Sequence, residues 1–251
     1  MGEIYLILNW KTYVSIADCF ILPPYLRRLA GEVLDYHLQL ILCPPAPFLS
    51  PIFEILKPLP ANLALGAQDI SHLEGGAATG EIVAKTVAPW AQYVIVGHSE
   101  RRRNHHETNY RISEKASLAL KYKLTPIICV GEEKRSGIAT TFVEEQLNQS
   151  VVLLDKEALK RVIVAYEPVW AIGVQESAPK EYAENMLKHL RKLLPKETKV
   201  MYGGSVFEES ARDFIEAGFD GLFIGRASLK IKSLEAVINK VKDAINSRST
   251  T

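Results

Sequence analysis

Cysteine is scarce in this 251-residue chain: Cys19, Cys43 and Cys129 are widely spaced and form no CxxC pair. An odd, scattered set excludes a disulfide framework and a thiolate-built zinc site, and it suits reduced thiols in the cytoplasm. An excess of charge of one sign is also missing. Lys and Arg number 30 against 29 Asp and Glu, a net charge of +1, so there is neither the basic footprint of a nucleic-acid binder nor an acidic tail. No apolar run approaches the length of a membrane span. The opening Met-Gly-Glu-Ile-Tyr-Leu shows no basic stretch ahead of an apolar one, and it lacks the Ser/Thr of a myristoylation signal. The expectation is a cytoplasmic protein without membrane contact, whose single sequon, Asn148-Gln149-Ser150, goes unused. Neither GxGxxG nor GxxxxGK(S/T) occurs, so a dinucleotide or nucleoside triphosphate is not implied. Small molecules or copies of the same chain are the expected partners.

What is present is a regular alternation. Hydrophobic residues make up 47% of the chain, ample for a sizeable core. Eight short β-like runs stand at Ile4 to Leu8, Leu38 to Cys43, Leu63 to Ala67, Tyr93 to Val96, Pro126 to Val130, Val162 to Tyr166, Val200 to Tyr202 and Leu222 to Ile224. Continuous apolar runs of this length read as parallel strands buried on both faces. Between them the apolar period lengthens to that of helices: Leu26, Leu29, Ala30, Val33 and Leu34, then Ala183, Met186, Leu187 and Leu190, then Leu234, Val237, Ile238, Val241 and Ile245. Pro23-Pro24, Pro44-Pro45, Pro58, Pro60 and Gly218 are expected to punctuate connections, and Asp69 to Gly80, with Gly75-Gly76, reads as a protruding loop. No linker or low-complexity run divides the chain. Eight β-then-α units in this length predict an α/β fold, a (β/α)8 barrel in which residues 1–251 form one domain.

In such a barrel the residues after each strand converge on one face, however far apart they lie in sequence. After the first strand come Asn9 and Lys11, after the fourth His98 and Glu100, after the sixth Glu167, after the seventh Gly203-Gly204-Ser205, and after the eighth Gly225-Arg226. Glu167 marks a strand mouth, because an ionised carboxylate cannot sit unpaired in an apolar interior. Pro168 biases Glu167 toward an extended conformation, while Val169 and Trp170 anchor a Gly-containing tip able to swing as a lid. Two glycine turns on adjacent strands offer backbone N–H donors to a single phosphate. Taken singly, each of these groups also fits a packing, turn or solvated role. His105-His106-Glu107 is read as structural, since adjacent helical histidines point apart, and no metal is expected.

Asn9-Trp10-Lys11, Gly97-His98-Ser99-Glu100-Arg101-Arg102, Tyr166-Glu167-Pro168-Val169-Trp170-Ala171-Ile172-Gly173 and Tyr202-Gly203-Gly204-Ser205-Val206 together resemble the triosephosphate isomerase family. Cys43-Pro44-Pro45, Gly66-Ala67-Gln68, Thr79-Gly80-Glu81, Cys129-Val130-Gly131-Glu132 and Ala227-Ser228-Leu229 look similar too. The resemblance implies interconversion of dihydroxyacetone phosphate and glyceraldehyde 3-phosphate, as in glycolysis and gluconeogenesis, without cofactor or metal. It implies that Glu167 is the base, made more basic by a closing lid and by Ile172 and Leu229. His98 would be a neutral electrophile, with Asn9 and Lys11 as fellow donors and Glu100 holding the Lys11 ammonium. The phosphate would meet the N–H groups of Gly173, Ser205, Gly225 and Arg226, and the lid of Pro168, Val169, Trp170, Ala171 and Ile172 would close against Tyr202 and Ser205. A homodimer is implied as well, with Thr79 of one copy reaching Asn9 and Lys11 of the other.

The chain departs from the family pattern in places. The lid reads Gly173-Val174-Gln175-Glu176 where the family usually continues Gly-Thr-Gly-Lys, and a left-handed backbone at Gln175 would be strained by about 1 kcal/mol. Arg226 replaces the second glycine of a pair, and its guanidinium is expected either in solvent or beside the phosphate. Leu8 also replaces a usual glycine, with an effect expected on strand packing alone. The alternative is a catalytically impaired barrel kept as a binding protein, and a third reading is another phosphosugar isomerase.

Overall fold

A computed structural model describes residues 2–249. Eight parallel strands close on themselves in sequence order: β1 Ile4–Asn9, β2 Leu38–Cys43, β3 Leu63–Ala67, β4 Tyr93–Val96, β5 Thr125–Val130, β6 Ile163–Tyr166, β7 Lys199–Tyr202 and β8 Gly221–Ile224. The closing pair is β1 with β8, in register from Tyr5 opposite Gly221 to Leu8 opposite Ile224. Closure satisfies every edge, which an open sheet of such apolar strands cannot do. The helices outside the strands are α1 Asp18–Glu32, α2 Leu49–Leu56, α3 Ala84–Val87, α4 Ser99–His105, α5 Asn109–Lys121, α6 Ala139–Ser150, α7 Lys156–Leu159, α8 Lys180–Leu193, α9 Glu208–Glu216 and α10 Ile231–Ser249. This is the expected (β/α)8 barrel.

Two apolar layers explain why the strands are hydrophobic throughout. Inside the barrel Ile7, Ile41, Cys43, Ile95, Ile127, Cys129, Ile163, Ala165, Met201 and Phe223 form one buried cluster. Between barrel and helices lies a larger cluster that includes Leu6, Leu8, Leu40, Leu42, Val94, Val164 and Leu222. Side chains alternate between the layers with the strand period of two. Leu8 faces outward and is fully buried in the layer between barrel and helices.

The α8 and α10 stripes are buried as the sequence predicts. Two expectations fail in α1. Leu34 leaves the stripe: the helix stops at Glu32, a 3-10 turn spans Leu34–Tyr36, and Leu34 is 51% exposed. Pro23 and Pro24 lie inside α1 rather than in a connection. Each removes one i to i−4 donor, yet Cys19, Pro23, Leu26, Leu29 and Ala30 are buried along one face. Packing of that face outweighs the lost bonds, as tertiary contacts commonly override propensity.

Candidate active site

The strand period places the acid. On β6 the inward residues are Ile163 and Ala165, so the next inward position beyond the strand is Glu167. Its backbone N–H still reaches the Val130 carbonyl at 2.7 Å, which fixes the residue at the barrel rim. The side chain is buried, with 2% of its surface exposed. Oε2 accepts a hydrogen bond from the Ser99 N–H at 3.3 Å, while Oε1 lies 3.3 Å from His98 Nε2 and accepts none in normal geometry. Burial therefore pushes the carboxyl above its ordinary range, against the opposing influence of His98, the Ser99 N–H and Lys11.

His98 is presented by a left-handed turn and capped by a helix. Gly97 has φ +70°, and a Cβ there would meet the Ile112 side chain at 2.7 Å, so only glycine makes this turn without strain. His98 is then the N-cap of α4, and its Nδ1 accepts the Glu100 N–H at 3.2 Å. An Nδ1 that accepts this bond leaves the ring's N–H on Nε2, facing Glu167. Phe223 packs edge-on against the ring at 5.9 Å.

Lys11 completes the floor in a strained backbone. It has φ +50°, a conformation that costs an ordinary side chain about 1–2 kcal/mol. Its N–H donates to Asn9 Oδ1 at 3.0 Å, its carbonyl accepts from Gln68 Nε2 at 2.8 Å, and its Nζ donates to Glu100 Oε1 at 2.5 Å. Burial alone would raise the Glu100 carboxyl, but the Lys11 ammonium with His98 more than offsets this and holds it below its usual range. Asn9, Lys11, His98 and Glu167 thus line one cavity of about 600 Å³, together with Ile172, Gly173, Ser205, Gly225, Arg226 and Leu229.

The lid contacts its surroundings at both ends and at its tip. A 3-10 turn spans Val169–Ala171, and the Ala178 N–H at the far end donates to Tyr202 Oη at 3.0 Å. At the tip Gly173 N–H donates to Ser205 Oγ at 3.1 Å, while Ser205 N–H donates to Ala171 O at 2.8 Å. In this state two of the four expected phosphate donors are satisfied within the protein, and an anion must displace those bonds to reach them. Gln175 is outside the left-handed region, so the expected strain at that position does not arise here. The Arg226 side chain is exposed at the rim of this cavity, and its Nη2 also donates to Gly173 O at 2.9 Å, a contact with the lid that the sequence reading did not include.

Several further residues, given no role from the sequence, hold this site. Glu132 is buried and its Oε1 accepts from Tyr166 Oη at 3.0 Å, Trp170 Nε1 at 2.7 Å and Tyr182 Oη at 2.9 Å, tying the lid's first hinge to the barrel. Arg135 lies over both the Trp170 and Tyr182 rings. Arg102 joins the mouths of β4 and β5 through Gly97 O at 2.7 Å and Cys129 O at 2.9 Å. Buried carboxylates at strand ends were the available signal for Glu132, but its partners come from three different segments. Replacing Glu132 with Ala would leave three donors unpaired and is expected to lower stability by about 3–5 kcal/mol, with Glu132→Gln retaining most of it through Oε1. Urea unfolding of the three proteins measures this, and coincident midpoints would refute it.

Thr79 is exposed in the loop between β3 and α3. His106 ends α4 with φ +53°, and Glu107 pairs with Arg101 and Lys115. Among the described residues no group of three or more His, Cys, Asp or Glu is arranged to hold a metal, and no helix is long and apolar enough to cross a membrane.

Comparison with known proteins adds an independent line. The family model described as triosephosphate isomerase matches residues 4–241. The chain is 35% identical over 244 residues to a triosephosphate isomerase of Carboxydothermus hydrogenoformans, covering 92% of this chain and 95% of that protein. It is 34% identical over 235 residues to the Cytophaga hutchinsonii enzyme of the same name, with coverage of 88% and 92%. The Colwellia psychrerythraea enzyme of that name is also 34% identical, over 248 residues and with coverage of 93% and 96%.

Proposed function

The chain belongs to the triosephosphate isomerase family, and from that premise we propose how its own residues interconvert dihydroxyacetone phosphate and glyceraldehyde 3-phosphate. Glu167 is the base that takes a proton from the carbon beside the carbonyl and returns it to the neighbouring carbon. The observation that carries this is the buried, poorly solvated carboxylate facing the His98 imidazole across 3.3 Å. That gap is too narrow for substrate, since reacting atoms need about 3–3.5 Å on each side. Glu167 therefore leaves the Ser99 N–H when substrate enters, and the hinge at Pro168 and Val169 lets it move with the lid. Freed from that bond, and shielded by Ile172 and Leu229, the carboxylate gains basicity toward a C–H acid.

His98 Nε2–H, Asn9 and Lys11 donate toward the oxygens of the developing enediolate, and the accepting Nδ1 keeps the proton on the nitrogen that faces it. Glu100 holds Lys11 in place. Gly173, Ser205, Gly225 and Arg226 offer N–H groups to the phosphate once the lid has exchanged its internal bonds for the anion. Tyr202 retains the far end of the lid through Ala178. The impaired-barrel alternative is not favoured, because the base, electrophile, amide and ammonium are all present and assembled. The decisive test is steady-state isomerisation of glyceraldehyde 3-phosphate beside pentose phosphates: turnover confined to the triose supports this reading, and an inert protein refutes it.

We further propose a cytoplasmic homodimer in which the loop bearing Thr79 packs against Asn9 and Lys11 of the second copy. The exposed Tyr13 and Ile16 beside that floor, with Leu73 within the loop and Ile82 just after it, are apolar surfaces that such packing would cover. Sedimentation velocity is expected to give twice the 28.0 kDa chain mass at micromolar concentration, and a monomer there would overturn the dimer.

A further inference from the structure

Gly173 is held from two sides by two different loops. Its N–H donates to Ser205 Oγ after β7, and its carbonyl accepts from Arg226 Nη2 after β8. Both polar groups of the lid-tip residue are therefore committed to the walls that bound the anion site. The lid itself brings no cation, since Val174-Gln175-Glu176 contributes only a negative charge. On the floor, Lys11 is paired with Glu100 at 2.5 Å. Arg226 is exposed at the rim of the same cavity, and one N–H of its guanidinium reaches the lid while its other donors remain on a planar fork suited to phosphate.

We infer that the Arg226 side chain is a latch, a positioning residue that holds the lid through the Gly173 carbonyl while its remaining donors bind the substrate's phosphate. The inference rests on the phosphosugar reading above and extends it to a side chain, beyond the backbone N–H at this position. A guanidinium able to satisfy both partners couples arrival of the dianion to closure of the lid, with the responsive charge on the fixed wall instead of the moving loop. Because Arg226 is exposed, its charge is screened by salt, and this gives the latch a recognisable signature.

The test compares wild type, Arg226→Gln and Arg226→Lys, using calorimetric titration with inorganic phosphate at two ionic strengths and hydrogen exchange of the amides from 171 to 177. In Arg226→Gln, phosphate affinity at low salt is expected to fall about tenfold, its salt dependence to flatten, and the ligand-free lid amides to exchange faster. In Arg226→Lys the salt dependence should return, with incomplete lid protection because the fork is lost. For turnover, KM should rise in Arg226→Gln by a larger factor than kcat falls. Phosphate affinity and lid exchange within twofold of wild type in Arg226→Gln would overturn the latch, as would tighter phosphate binding. Isomerisation by the same wild-type preparation separates the two readings. An active wild type with an unaffected variant sinks the latch alone, whereas an inert wild type sinks the isomerase reading.

Discussion

Glu167→Gln is expected to reduce isomerisation by about 10²- to 10⁴-fold while leaving phosphate affinity within a few-fold of wild type. The amide fills the same volume, keeps an oxygen for the Ser99 N–H, and lacks only the basic lone pair that removes a C–H proton. Because the effect is confined to the proton-transfer step, kcat should fall and KM should change little. The same variant tests the environment of the carboxyl. Burial raises the folded-state pKa of Glu167 above the unfolded value of 4.5, so the folded state binds more protons between those two values. Stability contributed by this group is then fully present below the unfolded pKa and is lost as pH rises through the folded one. Glu167→Gln removes that loss, so its stability relative to wild type should grow with pH across this window. The acid limb of wild-type kcat/KM should likewise lie above the ordinary carboxylate range. Urea unfolding at several pH values beside a pH–rate profile tests both, and an acid limb at an unshifted carboxylate value would contradict the account of a desolvated base.

Gly131→Ala is expected to destabilise the fold by about 4 kcal/mol or more, a loss as large as any single substitution here should cause. The reason is backbone contact: a Cβ on Gly131 would lie 1.7 Å from the Glu167 carbonyl oxygen and 2.5 Å from its carbonyl carbon. Nothing flexible stands there to move aside. Relief requires β5 and β6 to separate at their mouths, which breaks the bond from Glu167 N–H to Val130 O and shifts the base. Activity should therefore fall together with the thermal midpoint, unlike Glu167→Gln, where only activity falls. Calorimetry with the isomerisation assay reads both, and near-wild-type unfolding would show that the strands can open at that point without cost.

The strands and most of the helical stripes could be read from the chain because burial on both faces leaves a direct apolar signature, and a period of two or 3.6 survives in the linear order. Where local and tertiary terms conflicted, the reading failed. Pro23 and Pro24 carry a strong turn signal, but the buried face of α1 overrides it, and Leu34 follows the periodic pattern although the helix ends before it. The lid showed the same limit. A strained backbone at Gln175 was a reasonable inference from sequence, yet the tip takes its left-handed residue at Gly173, with φ +76°, where glycine bears no penalty. The contact of Arg226 with the Gly173 carbonyl was not legible either, since a side chain cannot be aimed from its neighbours in sequence.

By itself the sequence determined the number and order of the strands, the inward parity that brings Glu167 to the rim, and the residue types available at each strand mouth. These properties are local or periodic, and the hydrophobic effect writes them directly into residue order. Only the tertiary structure decided which groups face one another. It paired Glu167 with His98 and Ser99, committed Lys11 to Glu100, gathered Tyr166, Trp170 and Tyr182 on Glu132, and joined Arg226 to Gly173. Such contacts arise from barrel closure across dozens of residues, and their hydrogen bonds depend on distance and angle, which linear order does not carry.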